Sequence, residues 1–457
     1  MDYKIAILGG GPGGYTAAVR AAQLGMSVIL IEKAQLGGTC LNWGCIPTKA
    51  LLSCTDILSK IRSSEEFGIR VENVSFDLRM IMERKRQIVD SLVQGLDKLF
   101  KLRKIEVIRE PGVLTGRNEI TTKSGRKITA ENLIVATGSE PLELPCFNID
   151  HMNVITSNDA LSLEEIPEKM LIIGGGVVGC EFAGIFSELG SKITIVEMLD
   201  MLLPTEDNQV SRAVQTSFRK KEIELKLKTR VEKVTVAGEN KVTVNFSDGT
   251  EDTFTKVLSA GGRSLNIKGN GIDDIGIELE NGKYVSVSDT MQTNLPNVYA
   301  IGDITGKLML AHNAAAQGIA AVSHIAGMSC PVDYSSVPSA IFTSPEIASL
   351  GEREQDLKAK GTEYKVSRFS FAANGKAKGL GETEGFVKIL TDGKGEKVLG
   401  AHIVGPHASD LIHEIALIKQ NGLPLHSLTR TVHAHPTLSE CVLEAAEGIF
   451  KMSIHSV

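Results

Sequence analysis

Short apolar runs that stop at glycines set the rhythm of this chain. Residues 4–8 (KIAIL) read as a buried strand, and Gly9-x-Gly11-x-x-Gly14 follows at once. A helical stretch then places Ala18, Ala21 and Ala22 on one face, and a second strand, Ser27-Val28-Ile29-Leu30-Ile31, ends at Glu32. The same plan starts again at residues 170–173 (MLII). There Gly174-x-Gly176-x-x-Gly179 leads into a helix carrying Glu181, and Ile193-Thr194-Ile195-Val196 ends at Glu197. In both copies 23 positions separate the first glycine from the acid. Three more runs end on glycine: Leu133–Ala136 before Thr137-Gly138-Ser139, Val257–Ala260 before Gly261-Gly262, and Val298–Ile301 before Gly302-Asp303. Ile81, Ile88, Leu92, Leu96 and Leu99 form a helical stripe whose other face carries Arg84-Lys85-Arg86, read as a solvated face. The longest uncharged run, Leu308 to Val332, holds His312, Asn313, Gln317 and His324 and predicts a buried helix rather than a membrane span.

Each glycine in the repeated pattern has a physical task. The first permits a tight turn, the second lets backbone approach a pyrophosphate, and the third lets helix and strand pack closely. The N-terminus of the helix offers N–H groups and a positive dipole end to phosphate. One such pattern is weak evidence. Two, each between strand and helix and each with its acid, predict two dinucleotide sites. Glu32 and Glu197 are the expected acceptors for ribose hydroxyls. A 2′-phosphate would be repelled by Glu197, and Met198-Leu199-Asp200-Met201 supplies no arginine to receive it, so the second site reads as NAD rather than NADP.

Composition adds limits. The 457 residues are 42% hydrophobic and 23% charged, an ordinary globular balance that suggests about three domains. Forty-five glycines against fourteen prolines fit many close backbone approaches. A net charge of -6 gives no global field for nucleic acid or anionic membrane. Seven cysteines, only two of them closely spaced, do not form a secreted disulfide framework. The opening MDYKIAIL runs straight into a strand without a basic or apolar leader, so the expected location is cytoplasmic.

Cys40 and Cys45 lie in GGTCLNWGCIPTK, residues 37–49. A metal site needs two further ligands at matching spacing, and none is near, so no metal is expected. Two inert thiols remain possible from spacing alone. Position favours chemistry: the pair follows the first nucleotide unit, where the isoalloxazine of an FAD would lie, and a dithiol beside a flavin can exchange two electrons with it.

At this point the chain resembles the flavin disulfide reductases along essentially its whole length. The resemblance is carried by the two fingerprints, the cysteine box, Ala136-Thr137-Gly138-Ser139, Ile301-Gly302-Asp303, Met309-Leu310-Ala311-His312 and His433-Ala434-His435-Pro436-Thr437-Leu438-Ser439-Glu440. It implies an α/β fold with two Rossmann-like dinucleotide-binding domains: residues 1–141 for FAD and 142–264 for NAD. A central domain, 265–333, would complete the FAD side, and a C-terminal α+β dimerisation domain would occupy 334–457. It implies a Cys40–Cys45 redox disulfide, with Cys40 toward substrate and Cys45 toward flavin. His435 is the implied base and Glu440 its orienter. Lys49 would lie near the reactive edge of the flavin, paired with Glu181. Further FAD contacts implied are Lys33, Gly38, Thr39, Gly112, Thr137, Gly138, Ser139, Asp303 and Met309 to His312. Val231 and Gly262 are implied as NAD contacts. The family forms homodimers in which His435 serves the partner's disulfide. The form of the boxes is closest to members that oxidise dihydrolipoyl groups on the lipoyl domains of 2-oxoacid dehydrogenase complexes or the glycine cleavage carrier. The rival readings are an NAD(P)H-dependent disulfide or metal-ion reductase and a non-catalytic flavoprotein subunit. Trp43, Thr48 and the missing proline after Arg263 depart from the family pattern; the last of these falls in a loop that the resemblance implies lies on the nicotinamide side.

Overall fold

The computed structural model describes residues 1–455. The chain divides into two compact units, the first made of residues 1–143, 156–165 and 262–334, the second of 144–155, 166–261 and 335 onward.

In the first unit Tyr3–Leu8 lies at the centre of a sheet, paired in parallel with Val28–Ile31 on one side and Lys127–Val135 on the other. Glu106–Ile108 and Val298–Ala300 extend the parallel set. The hairpin Gly112–Gly116 with Glu119–Thr122 joins antiparallel to Lys127–Val135. Central strands buried on both faces read as unbroken apolar runs rather than alternation, and Ile5, Ala6, Ile7, Ile29, Leu30 and Ile134 are fully buried. Two helices, Pro12–Gln23 and Ala311–Ile325, meet on this sheet through small residues. A side chain at Gly318 would start 2.6 Å from the carbonyl oxygen of Gly13, so only glycine allows that approach. The uncharged run seen in the sequence is therefore the 15-residue Ala311–Ile325 with its flanks, and among the described residues no helix is long and apolar enough to cross a membrane.

The helix Leu78–Leu102 carries the basic cluster. Arg84 and Arg86 are exposed, as a solvated face requires. Lys85, however, is half-buried and donates to the carbonyl of Leu161. Desolvation and the Arg86 charge lower its pKa.

In the second unit Lys169–Ile173 is central. Lys192–Val196 and Lys256–Ser259 flank it in parallel, and Glu224–Lys226 lies beyond Lys192–Val196. A three-stranded antiparallel sheet, Val231–Val236, Val242–Phe246 and Glu251–Phe254, packs Val244, Phe246 and Phe254 against Leu171 and Val196. The C-terminal part is a five-stranded antiparallel sheet. Its order is Ser339–Ile341, Ile347–Gly351, Val398–Val404, Phe386–Asp392, Tyr364–Ser370. One face of it is covered by Ala408–Gln420 and Glu440–Ile449.

Candidate functional site

Both fingerprints fold to the same local geometry. Gly9 has φ +107° and Gly174 φ +109°, values L side chains rarely adopt, and a Cβ at either would collide with the carbonyl of Ala136 or Ala260. A Cβ at Gly14 would lie 1.9 Å from the Gly9 oxygen, and one at Gly179 2.0 Å from the Gly174 oxygen, so the third glycine is a packing requirement. The middle glycines differ: at Gly11 and Gly176 a Cβ would meet no protein atom within 4 Å. They border open space at the start of Pro12–Gln23 and Val177–Glu188, two helices whose first turns have no side-chain cap. Uncapped N–H groups facing open space suit an anion.

The two acids are tied into these loops. Glu32, almost fully buried, accepts from the N–H of Gly10 at 2.6 Å and of Ala34 at 2.7 Å through separate oxygens. Glu197 repeats this with Gly175 at 2.7 Å and Leu199 at 2.9 Å. Each carboxylate oxygen keeps a lone pair for a ribose hydroxyl. The acids therefore shape the loop as well as offering an acceptor, which spacing alone did not reveal.

A cavity of about 350 Å³ opens in the first unit. Gly9, Gly11, Glu32, Lys33, Gly38, Thr39, Gly112, Thr137, Gly138, Ser139 and Asp303 line it. Gly38 presses on the phosphate turn, its Cβ position 2.6 Å from the Gly11 Cα. Lys33 pairs with Glu140 at 2.6 Å at the rim; both are more than half exposed, so the pair contributes little stability. Gly14 lies behind the turn rather than in the wall. Met309 is half-exposed and Leu310 precedes Ala311–Ile325, where Asn313 fixes the turn by donating to the carbonyls of Lys307 and Leu308. None of residues 309–312 lines the cavity.

Arg263 and Asn266 are among the cavity residues whose roles the sequence did not reveal. Arg263 donates from Nε to Ser139 Oγ at 2.6 Å and from Nη2 to the Ser139 carbonyl at 2.7 Å, while Ser139 Oγ donates to Asp303. Asn266 donates to the Thr137 carbonyl at 3.0 Å and accepts from Thr137 Oγ1 at 2.7 Å through its own carbonyl. Both follow from the pairing of Ser139–Pro141 with Arg263–Leu265, two segments more than a hundred residues apart. The loop lacking the proline thus stands on the wall of the first cavity. Gly262 lies with it in the first unit, at φ +138° and accepting from the Leu142 N–H. Trp43 also lines this wall.

The cysteines sit where two helices meet. Gly38–Trp43 ends at Gly44, and Cys45–Arg62 begins at once, so Cys45 is the first residue of its helix and Lys49 lies one turn on. Both are thiols rather than a disulfide here, Cys45 the more exposed. The side-chain hydrogen bond that the Cys40 thiol makes to Cys45, together with desolvation, drives its pKa far above the ordinary value, while the Lys49 charge pulls it down. Burial lowers the pKa of the Arg263 guanidinium, and the charges of Asp303 and Cys45 oppose the shift.

In the second unit His435 Nδ1 lies 2.9 Å from Glu440 Oε1, and the other oxygen of Glu440 accepts from the Thr437 N–H at 2.8 Å. Burial works against ionisation of Glu440, yet the Thr437 N–H and His435 hold its pKa below the usual range. The His435 side chain is 79% exposed, leaving Nε2 available for proton transfer. Glu181, buried on Val177–Glu188, accepts from the Phe342 N–H at 3.0 Å. Val231 lies two residues after Thr229, whose N–H donates to the Glu197 carbonyl. Among the described residues no group of three or more His, Cys, Asp or Glu side chains could hold a metal ion.

Comparison with known proteins bears on both units. Residues 3–318 match the family model described as pyridine nucleotide-disulphide oxidoreductase, and residues 337–446 match the dimerisation domain of that family. The chain is 41% identical to the dihydrolipoyl dehydrogenase of Chlamydia muridarum, over 97% of this chain and 96% of that one. It is 40% identical to the Bacillus subtilis enzyme of the same name, over 99% of each. The solved structure of LpdA from Mycobacterium tuberculosis superposes with a TM-score of 0.91 at 30% identity, covering 97% of this chain and 99% of the other. The open cradles at Gly11 and Gly176 and the uncapped helices behind them fit FAD and NAD, the cofactors of this family. The chain belongs to the pyridine nucleotide-disulphide oxidoreductase family and carries its homodimer-forming domain.

Proposed function

We propose that the chain is an NAD-dependent dihydrolipoyl dehydrogenase, oxidising dihydrolipoyl groups to the cyclic disulfide. The observation that carries this reading is the Cys40–Cys45 thiol pair, in the same unit as the first fingerprint's cavity and in a chain whose second fingerprint ends on a carboxylate.

His435 Nε2 takes the proton of a substrate thiol, while Glu440 holds the ring through Nδ1 and stabilises the imidazolium. The thiolate attacks Cys40 Sγ in the Cys40–Cys45 disulfide, that bond breaks, and Cys45 leaves as thiolate. Cys40 takes the first proton from His435 as the second substrate sulfur displaces it and closes the cyclic product, and the proton of that second thiol passes to the freed imidazole. The Lys49 charge favours thiolate at the pair. FAD would be held by the Gly11 turn, Glu32, Arg263–Ser139 and Asp303, which line the cavity, and when bound would supply two-electron chemistry between the dithiol and NAD⁺. Gly176 and Glu197 hold NAD, the carboxylate disfavouring a 2′-phosphate. In the homodimer each His435 serves the partner's disulfide, and the substrates are lipoyl domains of 2-oxoacid dehydrogenase complexes or the glycine cleavage carrier, in the cytoplasm.

The test is turnover of dihydrolipoamide with NAD⁺ by wild type and by Cys45→Ser. Wild type turns over and the variant, still yellow, does not. Retained turnover in the variant would remove the disulfide from the mechanism.

A further inference from the structure

One face of the C-terminal sheet is polar in a way its dimerisation role does not require. Ser339, Ser349, His402 and Lys388 stand directly opposite one another across four successive strands, so they form one file on one face. Their neighbours on the opposite face, Ala348, Leu350, Ala401, Ile403, Val387 and Ile389, pack into an apolar core. His402 Nε2 donates to the Glu352 carbonyl and Nδ1 lies 3.0 Å from Ser349 Oγ, and burial lowers the histidine pKa to about 4. Lys388 is fully buried. A buried ammonium must be paired, and Lys388 donates to both oxygens of Asp207 at 2.9 Å and to Glu354 Oε2 at 2.7 Å.

Asp207 lies in the same compact unit but outside the dimerisation module, residues 337–446, in the nucleotide-binding module that carries the second fingerprint. It lies on the segment leading from Glu197 to the helix Asn208–Lys220, which it caps through the Gln209 N–H at 2.9 Å. Residues 353–355 grip the same segment. The Glu354 N–H donates to Asp207, Gln355 Nε2 donates to the Glu206 carbonyl at 3.0 Å, and Arg353 Nη1 donates to the Pro204 carbonyl at 2.9 Å. The gripped segment in turn holds the second fingerprint. The Leu203 N–H donates to the Gly175 carbonyl at 2.8 Å, and Leu202 fills the space a Gly175 side chain would need. Stability alone is a poor reason for such a cluster, because replacing buried ion pairs with apolar groups is often neutral or stabilising. Fixed geometry is what directional pairs add.

We propose that Lys388, Gln355 and Arg353 are positioning residues through which the dimerisation module sets the NAD loop, so that cofactor affinity in one module depends on packing against the other. The proposal rests on the reading that the second fingerprint binds NAD.

The test uses full-length holoenzyme carrying Lys388→Met, Gln355→Ala, Arg353→Ala or Arg353→Lys. KM for NAD⁺, kcat, FAD content and the rate of reduction by dihydrolipoamide without NAD⁺ are measured for each. KM for NAD⁺ should rise by about 2- to 30-fold, the usual effect of residues that couple two sites, with the other three quantities unchanged. Arg353→Lys, which can still donate to Pro204, should recover most of the loss. If Lys388→Met does not fold, the Gln355 and Arg353 variants decide. An unchanged KM with a lowered thermal midpoint overturns the proposal, leaving the cluster purely structural. A parallel fall in the reduction rate also overturns it, as general disruption. Gly176→Ala is run alongside: if it too leaves KM for NAD⁺ unchanged, the NAD assignment itself has failed.

Discussion

Adding one methyl group at Gly176 separates a cofactor site from a packing site. Its Cβ would meet no protein atom within 4 Å, so Gly176→Ala should fold as wild type. Bound pyrophosphate must approach that same open backbone, and the methyl would hold it off. The loss of one charge-assisted backbone hydrogen bond, roughly 1.5–3 kcal/mol, raises KM for NAD⁺ by about 10- to 150-fold. FAD content and reduction by dihydrolipoamide stay as they are, because the first fingerprint is untouched. Gly179→Ala is the contrast: its Cβ would lie 2.0 Å from the Gly174 oxygen, so helix and turn must part and thermal stability falls. Steady-state kinetics, flavin absorbance and a melting curve read all three. A Gly176→Ala enzyme with normal KM for NAD⁺, or one that loses FAD instead, would refute the assignment of the two sites.

Glu440→Gln keeps the bulk but not the charge beside His435 Nδ1, and kcat for dihydrolipoamide should fall by about 10²–10⁴-fold; normal turnover would show that the pair has no role in proton transfer. Glu197→Gln should lower the preference for NAD over NADP by roughly tenfold, the effect of about 1.4 kcal/mol, read as a ratio of kcat/KM values, and an unchanged ratio would misplace the ribose acid. Glu354 is pulled from 4.5 to about 2: burial raises it, but Lys358, Lys388 and Tyr364 outweigh that. A depressed folded-state pKa means stability that is present above the ordinary carboxylate range and lost as pH falls toward 2. Denaturant midpoints measured across that window should decline less steeply for Glu354→Gln than for wild type, and parallel declines would place the acid sensitivity elsewhere.

The α/β class with two nucleotide-binding halves was legible because central parallel strands, buried on both faces, write themselves as short apolar runs ending at glycine. The family was legible from the cysteine box and the His435 segment, where local order carries the chemistry. Arg263 and Asn266 were not, because their roles arise only when residues 263–265 pair with 139–141 across a long stretch of chain. The loop-shaping part of Glu32 and Glu197 was hidden for a related reason: spacing shows that an acid ends the strand, not that its oxygens are met by backbone N–H groups. Lys388 was invisible too. A lysine between Val387 and Ile389 reads as the solvent side of an alternating strand, and only Asp207 and Glu354 explain its burial.

The most direct test of the account is an anaerobic titration of the purified yellow protein with dihydrolipoamide, followed by addition of NAD⁺. Wild type should develop a long-wavelength thiolate–flavin band that NAD⁺ discharges with one NADH formed per dithiol oxidised, and NADP⁺ or glutathione disulfide should not substitute. Flavin that stays oxidised and unshifted under dihydrolipoamide, or that discharges equally to NADP⁺, would contradict it.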